Sequence, residues 1–131
     1  MIGIDTNVLV RYIMQDDARQ SAKATAFMES LTAERPGFVA LVSVVELVWV
    51  LGSAYGLQRV QIAQSLEGLL RAREMVIDHA DIVSNAARLF KSTAADFADC
   101  LIQMTAHDAG CEKVMTFDKG AAHSAGMTLI Q

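Results

Sequence analysis

Four short apolar stretches, "IGID" (residues 2–5), "FVALV" (38–42), "EMVID" (74–78) and "KVMTFD" (113–118), alternate with longer segments of helical pattern. A fifth, "MTLIQ", closes the chain. Short buried strands joined through helices must run mainly parallel, because a parallel connection needs a crossover and its helices then cover both faces of the sheet. The expected fold is therefore α/β: a sandwich of helices around a mainly parallel central sheet of four to five strands. No repeat, low-complexity tract or linker interrupts the alternation, so residues 1–131 read as a single domain. A chain of this size buries about two thirds of its unfolded surface and needs no disulfide or structural metal to do so.

The helical segments have recognisable punctuation. A short helix over 7–14 follows directly from the first strand. "DDARQSAKATAFMESLTAE" offers Asp16 or Asp17 as its cap and places Ala22, Ala26, Phe27 and Leu31 near one face. "SVVELVWVLGSAYG" is a mostly apolar helix closed at Gly56, and "DFADCLIQMTAHDAG" stops at Gly110. Residues 37–57 contain a single charge, Glu46, and are long enough to cross a bilayer. A carboxylate at the middle of a spanning helix costs roughly 2.5 to 3.5 kcal/mol, so the segment divides instead into a buried strand over 38–42 and a buried helix after Ser43.

Apolar residues make up 53% of the chain and its mean hydropathy is +0.31, which predicts a large core together with some apolar surface for a partner. Cys100 and Cys111 lie outside any metal-binding spacing, and Asp5 and Arg11 break the N-terminal apolar run that a cleavable leader would require. A cytoplasmic protein with free thiols is the expectation.

The acids carry the chemical signal. Ligands in parallel α/β sheets bind just beyond the carboxyl ends of the strands. Asp5 ends the first strand, Glu46 falls in the first turn of the helix after the second, and Asp118 follows the fourth. Asp96 and Asp99 open a helix on whose polar face Cys100, Gln103 and His107 also fall, opposite Phe97, Leu101, Met104 and Thr105. Each acid also has a plain structural reading: Ser43 and Glu46 match a capping box, Asp5, Asp96 and Asp99 can cap or complement helices, and Asp118 can begin a turn. Taken together, carboxylates converging on one edge repel unless a cation lies among them. An all-oxygen set without a His or Cys cluster suits Mg²⁺ or Mn²⁺, ions whose usual chemistry is at phosphate. Hydrolysis at phosphorus leads. The net charge of −4 opposes nucleic-acid binding only superficially: setting aside Asp5, Glu46, Asp96, Asp99 and Asp118 leaves 10 acids against 11 bases. Arg11, Arg19, Lys23, Arg71, Arg73, Arg88 and Lys91 then offer a local basic rim, although their sequence positions do not place them on one surface.

"GIDTNVLVRYI", "SVVELVWVL", "DFADCLIQMTA" and "VMTFDK" together resemble a PIN-domain ribonuclease, and within that family a VapC-like toxin of bacterial type II toxin–antitoxin pairs. The blocks fall in the family's order from residue 2 to about 119. The resemblance implies a PIN-like α/β/α sandwich and a Mg²⁺-dependent endoribonuclease in which Mn²⁺ substitutes. It places Asp5, Glu46 and Asp99 at the acidic triad and Asp118 at the common fourth acid. Thr116 matches a hydroxyl that holds the first Asp, Asp96 an accessory acid, and Asn7 a structural polar position. The implied partners are RNA, a VapB-like antitoxin whose tail covers the cleft, and a second copy of the chain.

Two other readings compete. A haloacid-dehalogenase-like phosphatase also begins with a strand ending in Asp, but it wants a second Asp where Asn7 stands. A non-catalytic PIN-type RNA-binding or scaffold protein would share the fold without the reaction. No phosphate-binding glycine loop is present, and His79, His107 and His123 are dispersed.

Overall fold

The computed structural model describes residues 1–131 as two compact units, Met1–Ala80 and Asp81–Gln131. The first contains β1 (Ile2–Gly3), α1 (Thr6–Met14), α2 (Ala18–Glu29), β2 (Gly37–Val39), α3 (Leu41–Ser53), α4 (Arg59–Arg71) and β3 (Met75–Ile77). Its sheet has the order β1-β2-β3 with every pair parallel, Ile2 opposite Gly37 and Phe38 opposite Val76. α1 packs against α2 and α3, and α4 against α3 and β3. Leu9, Val39, Leu47, Leu51 and Leu66 are buried in this unit. Gly37 admits the side chains of Ile4 and Leu31 so closely that a Cβ there would collide with Ile4 Cδ1.

The second unit holds nearly all of α5 (Ala80–Ser92), then α6 (Phe97–Asp108), β4 (Met115–Thr116), α7 (Lys119–Ser124) and β5 (Thr128–Leu129). Ile82, Val83, Ala86, Ala87 and Phe90 form one buried stripe of α5 at helical spacing. Phe90 meets Phe97 edge to face, with ring centroids 5.6 Å apart at 83°. β4 and β5 pair in parallel, Met115 opposite Thr128, and α7 packs on both.

The α/β class and parallel pairing are as expected, and all five expected strands are present. Hydrogen bonding divides them into sheets of three and two. β2 is shorter than expected and α3 begins at Leu41, so Leu41 and Val42 are helical. Ser43 therefore sits inside the first turn and makes no capping box, and Glu46 is the sixth helical residue, beyond the first turn. The cap comes from elsewhere: Asp78, just past β3, accepts from Leu41 N at 3.2 Å. Residues 37–57 thus divide into a strand and a helix, and no helix is long and apolar enough to cross a membrane.

Three other expectations are corrected. Asp17 caps α2 through Gln20 N, and the helix buries Ser21, Ala24 and Met28, leaving Ala22 and Ala26 exposed; alanines on both sides gave the pattern little contrast. Cys100 is buried with Phe97 and Leu101, since positions three and four apart share a helix face. α7 is a six-residue helix where only a turn was expected.

Replacing Asp78 by Ala removes the acceptor at the head of α3 and is expected to cost about 1 kcal/mol, while Asp78→Asn retains most of it. Urea or thermal denaturation of the two variants measures the difference.

Candidate functional site

The carboxyl ends of β1, β2 and β3 lie at one edge of the first unit's sheet because the three strands are parallel. Asp5 leaves β1 at that edge and caps α1, its Oδ1 accepting from Thr6 N at 2.8 Å. The carboxylate therefore sits at the positive end of the α1 dipole, in a fixed position. Thr6 is 5% exposed, and its hydroxyl donates to Glu46 Oε1 at 2.8 Å across forty positions of sequence. This one bond joins the start of α1 to the second turn of α3. Asp5, Thr6, Asn7 and Glu46 line a groove of about 830 Å³ together with Arg11 and Tyr55.

In the second unit, Asp96 stands at the N-cap position of α6 without a side-chain capping bond, and Asp99 lies in that helix's first turn. Asp118 caps α7, Oδ1 accepting from Gly120 N at 2.7 Å and Ala121 N at 3.2 Å. Thr116 Oγ1 accepts from Asp118 N at 3.0 Å, so the hydroxyl that the resemblance assigns to Asp5 engages the backbone of Asp118. Burial raises the pKa of Asp99 above the ordinary carboxylate value, and the charges of Asp96 and Asp118 raise it further.

The expected residues are thus found as Asp5, Asn7 and Glu46 in the first unit and Asp96, Asp99, Thr116 and Asp118 in the second. Neither unit by itself gathers three His, Cys, Asp or Glu side chains into a group able to hold a metal ion. Thr6 escaped the sequence reading, although a hydroxyl immediately after the acid, on the first turn of an apolar helix, is the signal that finds it. Asp78 was likewise passed over despite ending a strand as Asp5 does; its carboxylate is committed to Leu41 N and to His79 Nδ1 at 2.9 Å.

The raised proton affinity of Asp99 has a definite sign. The folded state holds this proton to higher pH than the unfolded chain does, so the charged carboxylate opposes folding above the folded-state pKa. That penalty fades as the pH falls toward the ordinary carboxylate value. Asp99→Asn is expected to raise the thermal midpoint at neutral pH, and the gain to shrink on acidification through the carboxylate range. Melting curves of the two proteins from pH 7 to pH 3 test it.

The sequence matches the PIN domain over residues 2–126, a span that covers nearly the whole chain and reaches into both units. No curated protein matches it. The match overturns the haloacid-dehalogenase-like reading. PIN domains are generally metal-dependent nucleases, and the nucleases among them act on RNA.

Proposed function

The chain belongs to the PIN-domain family, and from that membership we propose that it is a Mg²⁺-dependent endoribonuclease of the VapC-like kind. In this reading it is the toxin of a type II pair, cytoplasmic and homodimeric, neutralised by a VapB-like antitoxin. Mn²⁺ substitutes for Mg²⁺. Residues 1–131 are read as one domain whose catalytic acids are Asp5, Glu46, Asp99 and Asp118.

The observation that carries the reading is the Asp5–Thr6–Glu46 linkage, which fixes two carboxylates at the carboxyl edge of a parallel sheet. An all-oxygen donor set without a His or Cys cluster fits a hard divalent cation. Asp5 and Asp99 would each be a metal-ligating position, directly or through water. Glu46, oriented by the Thr6 hydroxyl, would align the water around the cation and take up a proton. Asp118, fixed by three hydrogen bonds to its carboxylate and backbone N–H, would support a second ion or place the attacking water. Asp96 would add negative charge beside Asp99, and Asn7 would shape the groove wall. Such a cation, when bound, lowers the pKa of water and neutralises charge developing at the scissile phosphate.

Mg²⁺ or Mn²⁺ is expected to raise the thermal midpoint of the wild-type protein, and EDTA to abolish RNA cleavage. Asp5→Asn and Asp99→Asn, shown to be folded, should each reduce cleavage by at least about a hundredfold. Thr6→Val should lower it by about tenfold to a hundredfold while leaving the fold intact, because it removes only the group that positions Glu46. Wild-type cleavage rates in both Asp variants would sink the assignment. A folded wild-type protein that binds RNA without cutting it would instead point to the scaffold reading.

A further inference from the structure

Arg11 lies one helical turn beyond Asn7 on α1, and three side chains hold its guanidinium. Nε donates to Gln20 Oε1 at 2.7 Å; Nη1 donates to Asp16 Oδ1 and Oδ2 at 3.2 and 3.3 Å and to the Tyr55 hydroxyl at 3.0 Å. Tyr55 in turn donates to Asp16 Oδ2 at 2.6 Å. That hydrogen bond, followed by a bond to the Asp16 backbone and then by the Arg11 charge, holds the Asp16 carboxyl below its ordinary pKa, so the carboxylate stays charged through neutral pH. All five N–H donors of a guanidinium lie in one plane. Nε and Nη1 are engaged here, whereas neither N–H of Nη2 bonds to the protein, and the side chain is 32% exposed.

The position of this cluster gives it a use. Arg11 and Gln20 line the groove that contains Asp5 and Glu46. Both also line a second hollow of about 500 Å³ between α1 and α2, where Lys23 joins Asp5 and Asn7. Two members of the basic set, Arg11 and Lys23, are thus brought to one surface beside Asp5. A guanidinium clamped through Nε and Nη1 beside a groove keeps Nη2 as an oriented, charge-assisted donor for an oxyanion.

We propose that Arg11 anchors a phosphodiester of the RNA strand flanking the one to be cut, with Nη2 donating to a non-bridging oxygen. Tyr55, Asp16 and Gln20 act as positioning residues, and Lys23 extends the positive track along α2. The inference rests on the ribonuclease reading and adds a substrate contact to it. Asp16 also moderates the anchor, since its carboxylate offsets part of the charge that the RNA would meet.

Binding of a labelled single-stranded RNA oligonucleotide, measured by fluorescence anisotropy across a salt series in the folded Asp5→Asn background, tests the anchor. Arg11→Ala should weaken binding by about tenfold and reduce the magnitude of the log–log salt slope by about 0.7, the loss of one phosphate contact on a single strand. Arg11→Lys should keep the slope but not the full affinity. Asp16→Asn should tighten binding more than Glu29→Gln, an equal change in net charge on the exposed end of α2. In the active background, Arg11→Ala should raise KM more than it lowers kcat. A role confined to tying α1 to Tyr55 predicts the reverse pattern: Arg11→Ala and Asp16→Asn both lower the thermal midpoint and leave RNA affinity and salt slope at the parental values. That result overturns the proposal, whether Arg11 is then purely structural or serves an acidic protein partner. Failure of the ribonuclease reading shows in the wild-type chain instead: if it neither binds nor cuts RNA the anchor falls with the reading, and if it binds without cutting, the affinity and salt slope of Arg11→Ala still decide the anchor.

Discussion

Parallel pairing of β1, β2 and β3 sends three chain exits to one edge, and the first unit is organised by what each exit does with its acid. Asp78 spends its carboxylate on the backbone of α3 and on His79. Asp5 commits one oxygen to the start of α1, and Glu46 is steadied by the buried Thr6 hydroxyl. The first of these acids thus builds the helix that presents Glu46, and the second builds the helix that presents Thr6. Structure and candidate site are therefore not separable here: the capping bonds that start α1 and α3 are also what give two side chains a fixed position.

The second unit treats its acids differently. Asp118 is integrated into a helix cap, but Asp99 is held where burial and two neighbouring carboxylates disfavour its charge. Nothing in the packing of α6 requires an acid at that position, since Phe97, Cys100 and Leu101 supply the buried face. A carboxylate whose charge its surroundings disfavour is the kind of local inconsistency found at functional sites.

The legible part of the molecule was the part with a period or a fixed offset. Strand alternation with helices revealed the class and the parallel pairing, and the acids at strand ends could be read because sheet geometry converts an offset into a place. The Thr6–Glu46 bond and the Arg11–Asp16–Tyr55 cluster leave no such trace, as they join positions about forty residues apart through single side-chain contacts. The β2–α3 boundary was misplaced for a related reason: the group that starts α3 at Leu41 belongs to Asp78, a strand later in the chain. Cys100, three positions after the buried Phe97, shares that residue's phase on α6 and faces inward with it, which a thiol's polarity does not reveal.

Part of the high apolar content stays on the surface, and α3 carries some of it beside a candidate site residue. Leu47, Val48 and Leu51 are buried, whereas Val42 and Trp49 are each 67% exposed and lie two turns apart on one face. Glu46 falls between them on the same stripe at helical spacing. A surface that covered Val42 and Trp49 would gain from burying them and would also strip water from an acid that the Thr6 hydroxyl satisfies at only one oxygen. Such a surface must bring its own cation or donor to that point. The exposed face of α3 therefore sets two apolar side chains on either side of a candidate site residue, so covering the one means desolvating the other.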